Sequence, residues 1–202
     1  VTKLALRIKD SVRNAYVNEN VNGKIFVTLD GSNYDIGTFN TTDSSGYLTV
    51  YFDPSADYSV GIQKWKGGVY QDNCYFDSNS SEYYLTIMGD LYPNVLIPST
   101  YTEYLKPEDN ITIRTKVVDD KGLSVNDTNL DVKLISEYGN VYICSPNVLK
   151  SEGEYECTIN TSLLRARYYN ISVNASKPYH NNGYSLVYNM IFVKTKPILV
   201  GE

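Results

Sequence analysis

The sequence predicts an all-β protein built as two Greek-key β-sandwich domains in tandem. Apolar and polar residues alternate with period two along most of the chain, the pattern of strands with one buried face. Helical periodicity is almost absent, because Gly, Pro or Asn interrupts every candidate apolar stripe. Turn residues recur at intervals of about 8–12 positions, giving roughly seven short strands per half. The stretch Gly89-Asp90-Leu91-Tyr92-Pro93 reads as a break near the midpoint of the 202 residues. It sets the expected domains at 1–90 and 91–202.

The first half opens on a strand within residues 1–10, where Leu4, Leu6 and Ile8 alternate with Lys3, Arg7 and Lys9. Asn22-Gly23 is a strong turn dipeptide and precedes a strand at 24–29. Further strands are expected at 46–52, 58–62, 69–76 and 83–88. Asp30-Gly31-Ser32-Asn33, Asp43-Ser44-Ser45-Gly46, Asp53-Pro54 and Gly67-Gly68 separate them as turns. In the second half, Ile111, Ile113, Thr115 and Val117 share one face of a strand, and a turn follows at 118–122. Residues 130–136 and 140–144 form a hairpin across Glu137-Tyr138-Gly139. Strands at 154–160, 168–175 and 184–195 complete the set. Both halves are expected to own enough strands to close.

A hydrophobic content of 42% supports packed cores. No stretch approaches the ~18–20 apolar residues of a membrane span. No basic, apolar leader opens the chain, so Val1 reads as a mature N-terminus if the protein is exported. A net charge of -5 and a pI near 5.0 argue against nucleic acid as a partner. Twenty tyrosines against five phenylalanines suit half-buried strands and interfaces, where a ring is covered and its hydroxyl stays wet.

The three cysteines are Cys74, Cys144 and Cys157. Without a Cys-X-X-Cys and with His180 the only histidine, a Cys/His zinc site is not expected. Cys144 and Cys157 flank Pro146 and Gly153 between two strand-like runs. A disulfide there would close a loop of about 14 residues and contribute about 3 kcal/mol, leaving Cys74 free. Two buried thiols are the alternative.

Asn-X-Ser/Thr sequons begin at Asn40, Asn79, Asn110, Asn126, Asn160, Asn170 and Asn174. Random order at this composition would give roughly three such triplets, so the chain holds about double the chance number. Strand alternation assigns each a face. Asn170, Asn174 and Ser172 fall opposite Tyr169, Ile171, Val173 and Ala175. Asn160 falls opposite Ile159, and Asn110 opposite Ile111. Asn40, Asn79 and Asn126 fall in expected loops. All seven are therefore expected at the surface carrying N-linked glycans, with the second domain presenting a sugar-coated sheet.

No catalytic residue is identified. His180 lies in a polar turn, and no nucleophile elbow, phosphate loop or dinucleotide fingerprint occurs. Asp119, Asp120, Asp127 and Asp131 lack the ligand ladder of a calcium loop, so no metal and no cofactor is expected. Trp65, between Lys64 and Lys66 on an expected turn, is a candidate sugar-stacking, interface or core residue.

Residues 1–10 carry the sharpest functional consequence. As a terminal strand the segment can stay at home or leave to fill a groove on another subunit. A link of that kind does not close on itself and generates a filament. Pro197-Ile198-Leu199-Val200, within the tail 197–202, is a second candidate donor.

The turn Val117-Val118-Asp119-Asp120-Lys121-Gly122 and the approach Glu152-Gly153-Glu154-Tyr155 resemble immunoglobulin-like modules of prokaryotic surface proteins. The first strand and Ser45-Gly46-Tyr47 make the first half similar to carboxypeptidase-regulatory or transthyretin-like sandwiches. Taken whole, the length, the sequons, the Tyr, Asn and Ser/Thr content and the N-terminal strand resemble thread filament subunits of thermoacidophilic archaea. That resemblance implies a non-enzymatic, glycosylated extracellular filament at the cell surface, joined head to tail by donor strand complementation. Its partners are copies of itself, and it serves adhesion or cell–cell contact. Leu4, Leu6 and Ile8 would fill the acceptor's pockets. The alternatives are a monomeric two-domain adhesin or surface-layer fragment, and a secreted carbohydrate-binding or carbohydrate-active protein.

Overall fold

Alternating strands need a partner face to bury their apolar sides, and the chain finds two such arrangements. The computed structural model describes residues 1–200 and divides the chain into two compact units, Val1–Met88 and the remainder from Gly89. That division lies just before the break expected from sequence. The protein is all-β, with a single turn of 3-10 helix at Thr161–Leu163 among the described residues.

Unit 1 holds β1 (Thr2–Arg7), β2 (Lys9–Asp10), β3 (Ala15–Tyr16), β4 (Asn22–Val27) and β5 (Thr38–Thr41). It continues through β6 (Tyr47–Phe52), β7 (Gly61–Val69), β8 (Ser78–Asn79) and β9 (Tyr83–Ile87). One sheet runs β5-β4-β7, with β8 and β9 both pairing β7. The other contains only β1 and β6, antiparallel from Thr2↔Phe52 to Arg7↔Tyr47. Leu4, Ile25, Val27, Leu48, Val50, Phe52 and Ile87 form the main core. The two sheets are thus unequal, which corrects the expectation that each half closes with a full set of strands.

Several residues read as turns lie inside strands. Asn22 and Gly23 belong to β4, and Trp65, Gly67 and Gly68 to β7. These glycines serve close approach rather than chain reversal. A Cβ on Gly23 would sit 2.6 Å from the Gly68 carbonyl oxygen, and one on Gly68 would sit 1.9 Å from that of Ser78. Conversely, most of 69–76 is not a strand. The Asp72 carboxylate accepts amide N–H bonds from Asn22 at 2.9 Å, Cys74 at 2.8 Å and Tyr75 at 3.2 Å, winding the segment into a turn. Residues 58–60 also lie outside a strand, and β7 starts at Gly61.

Unit 2 holds β10 (Gly89–Ile97), β11 (Thr102–Lys106), β12 (Asn110–Asp119), β13 (Asn129–Ser136) and β14 (Val141–Cys144). Then come β15 (Val148–Ser151), β16 (Glu154–Asn160), β17 (Tyr168–Ser176), β18 (His180–Asn181) and β19 (Gly183–Thr195). Its two five-stranded sheets run β15-β16-β12-β10-β18 and β11-β19-β17-β13-β14. The stretch read as a break, 89–93, is the start of β10. Pro93 stands opposite Val117 of β12, and most of the other edge of β10 is unpaired, so no ladder donor is lost there.

Ile111, Ile113, Leu134, Ile171, Ile191 and Val193 fill the space between these sheets. Two tyrosines enter that core with their hydroxyls satisfied. The Tyr169 hydroxyl accepts from the Arg165 amide at 2.9 Å and donates to the Arg165 carbonyl at 2.8 Å. The Tyr155 hydroxyl accepts from the Thr128 amide at 2.8 Å. Buried rings whose polar tips close loops account for part of the tyrosine excess. A disulfide joins Cys144 on β14 to Cys157 on β16, tying one sheet to the other, and Cys74 is free and exposed.

Candidate functional site

The inequality of the unit 1 sheets leaves a free edge on the smaller one. β1 pairs with β6 along one edge, and among the described residues no strand pairs with the other. Beside that edge runs a groove of about 410 Å³. Its apolar walls come from Ala5, Leu6 and Ile8 at the start of the chain and from Trp65, Val69 and Tyr83 across it. Trp65 packs on Tyr83 with ring centroids 4.9 Å apart. Gly67 and Gly68 also line it, and the Leu6 side chain lies close over Gly67, where a Cβ would sit 2.9 Å from Leu6 Cδ1.

An unpaired edge exposes a row of backbone N–H and C=O groups that another strand can satisfy. The groove therefore combines an edge to pair with and apolar side chains to cover, the two requirements of strand addition. Arg7, Lys9, Ser78, Asn79 and Ser80 supply a polar part of its lining. Nearby polar contacts hold the floor rather than perform chemistry. Glu82 accepts the Tyr34 hydroxyl at 2.8 Å and pairs with Lys64 at 3.1 Å. Those contacts, the tyrosine first, hold Glu82 below its ordinary range. Burial, with Glu82 next, pushes Tyr34 up to about 12.

The expected donor residues lie in their own chain's unit 1. Leu4 is buried in the core, whereas Leu6 and Ile8 are half-buried and border the groove. The described tail, residues 196–200, forms no strand, with Ile198, Leu199 and Val200 exposed at 89%, 93% and 83%. Gly201 and Glu202, which complete the tail named from sequence, lie outside the described residues.

The sequons divide by environment. Asn79, Asn126 and Asn174 are exposed, and Asn126 accepts the Gly153 amide at 2.7 Å. Asn110 and Asn160 face each other across β12 and β16, the Asn160 amide donating to Asn110 Oδ1 at 3.0 Å. Asn40 is exposed on β5 and Asn79 on β8, so neither lies in the loop expected. Asn170 differs from the rest. It is half-buried, and its Oδ1 accepts the Asn189 amide at 2.8 Å, where the β17–β19 register shifts. Ser172, expected outside, is only 4% exposed. The four sequons on strands of unit 2 are spread over both sheets rather than one.

Residues weighed for chemistry have structural partners. Asp119 accepts the amides of Lys121 at 2.9 Å and Leu123 at 2.8 Å, closing its turn. His180 is part of β18, paired in parallel with β10, with Nδ1 2.9 Å from the Pro178 carbonyl oxygen. Among the described residues, no three His, Cys, Asp or Glu side chains gather as metal ligands. Sequence reasoning missed the groove, whose one local signal is the pair Gly67-Gly68 beside Trp65.

No protein-family model matches the chain, and no curated protein matches it. Among solved structures, it is similar to a tetra-tandem repeat in the extending region of a large adhesion protein, with a TM-score of 0.44 and 16% identity. The likeness covers 84% of this chain and 41% of that one. A second likeness is to the native conformation of E. coli alpha-2-macroglobulin, with a TM-score of 0.34 and 14% identity, over 94% of this chain and 11% of that one. The chain spans less than half of either structure, and at these scores neither likeness bears on function.

Proposed function

We propose that this chain is a structural, non-enzymatic subunit of a glycosylated extracellular assembly at the cell surface. Copies join head to tail, one supplying an extended segment to the open sheet of the next. The observation that carries this reading is the unpaired edge of β1 beside its apolar groove. A two-stranded sheet opposite a longer one leaves an edge that an added strand would pair, covering the half-buried Leu6 and Ile8 beside it. Because donor and acceptor are different surfaces, the contact propagates into a filament rather than closing as a dimer.

Export is supported by the Cys144–Cys157 disulfide, a bond kept in oxidising compartments, and by the exposed sequons. Glycans on both outer faces of unit 2 would leave unit 1 as the less shielded place for subunit contacts. A role in adhesion or cell–cell contact belongs to the same proposal, and it needs no cofactor beyond covalent sugars. Native material examined by negative-stain electron microscopy and mass photometry tests the reading. Filaments with a one-subunit repeat are expected. A monodisperse monomer at micromolar concentration would sink it, leaving a two-domain adhesin without strand exchange.

A further inference from the structure

Among the described residues, a free sheet edge beside a groove and an exposed apolar segment fit each other. The edge belongs to β1. The segment is the tail from Lys196 to Val200, which follows the long strand β19 and leaves three consecutive large apolar side chains in water. We infer that this tail, and not the N-terminal strand, is the donor: in the assembly it occupies the β1 groove of a second copy. The inference rests on the strand-addition reading and specifies its donor.

Three features favour the tail over β1. First, β1 already contributes Leu4 to its own core and makes a six-residue antiparallel ladder with β6, whereas the tail leaves no strand pairing behind. Its Lys196 makes an exposed ion pair with Glu108 at 3.5 Å. Second, the tail's composition suits the site. Ile198 and Val200 fall on one face of an extended chain and can lie on the Leu6 and Trp65 side, with Leu199 outward. β-Branched residues favour that geometry. Third, Pro197 stands where the segment would enter the groove, and Pro is tolerated at the first residue of a strand. Alternate amides of the segment, those of Ile198 and Val200 or that of Leu199, are then free to donate to β1.

Trp65, the chain's only tryptophan, lines the groove and reports on its occupancy. The test compares the full chain with one ending at Thr195, adding back a synthetic peptide of residues 196–202. Circular dichroism and cooperative melting of the truncated chain confirm that both units remain folded. We expect truncation to abolish assembly and move Trp65 emission to longer wavelength, and the peptide to reverse the shift saturably. In a Cys74→Ser background, Ala5→Cys paired with Leu199→Cys is expected to give an oxidised ladder of multimers.

The outcomes separate the claims. If the truncated chain still forms filaments, strand addition survives with β1 as the exchanged strand, and the tail assignment is wrong. A full-length monomer whose cysteines join within one chain means that the tail fills its own groove, and the assembly reading falls. A full-length monomer with no Trp65 response to truncation or peptide overturns both.

Discussion

Removing the Cys144–Cys157 bond should destabilise unit 2 by about 3 kcal/mol. Both cysteines are buried, at 0% and 3% exposure, so alanines in their place remain small apolar fillers and leave little void. The main loss is then a constraint on the unfolded chain. A sequence separation of 13 closes a short loop, for which the chain-entropy relation gives about 3 kcal/mol. For a domain of about 100 residues that corresponds to a fall in midpoint of about 10–20 °C. The bond also ties β14 of one sheet to β16 of the other, so its loss should loosen the sandwich edge first. Differential scanning calorimetry of the Cys144→Ala/Cys157→Ala chain, beside the oxidised parent, measures this. Unit 1 contains neither residue, and its transition should stay where it is. An unchanged unit 2 midpoint would refute the reasoning, as would a fall confined to unit 1.

Three further outcomes follow from named contacts. Gly68→Ala puts a methyl group against the Ser78 carbonyl, so β8 must shift at a cost of roughly 1–3 kcal/mol. Hydrogen exchange should then accelerate at Ser80, whose amide donates to Gly67 at 2.8 Å, and unchanged exchange there would count against the close approach. Glycopeptide mapping should find Asn174 occupied and Asn170 bare, since Asn170 Oδ1 holds the Asn189 amide and Ser172 is buried. In assembled material Asn79 should also be bare, because it borders the groove, and sugar on Asn79 in filaments would contradict the proposed acceptor. Asp72 is held below its ordinary value of 3.8, first by the Asn22 amide and then by that of Cys74, and Asp10 first by the Arg13 amide. A folded pKa below the unfolded one contributes stability that is present above the ordinary value and lost as pH falls through the folded one. Unit 1 should therefore melt at a nearly constant temperature from about pH 8 to about pH 5 and fall below about pH 4. Asp72→Asn should flatten that acid limb.

The strands of unit 2 were legible where alternation is strongest. The expected 154–160 coincides with β16, and 130–136 with all but the first residue of β13. Each has a clean apolar face because it sits inside a sandwich covered on that side. Glycines misled the reading of unit 1. Gly23, Gly67 and Gly68 resemble turn signals locally, yet what selects them is a backbone several strands away in sequence. The stretch 89–93 lies at the division between the units but is strand rather than a break, because Pro93 is compatible with a strand whose adjoining edge is open. Of the four sequon asparagines assigned by strand face, Asn110, Asn160 and Asn174 are exposed and Asn170 is half-buried, where a bulge displaces the register. The groove was out of reach, since it depends on how many strands each sheet receives, and period-two alternation carries no such count.

The most direct measurement is a cryo-electron microscopy reconstruction of the assembled protein, at a resolution that traces β-strands. Density for an additional strand from a neighbouring copy should run along the free edge of β1, over Trp65 and Tyr83. A filament whose β1 groove is empty, with subunits joined through other surfaces, would contradict the account.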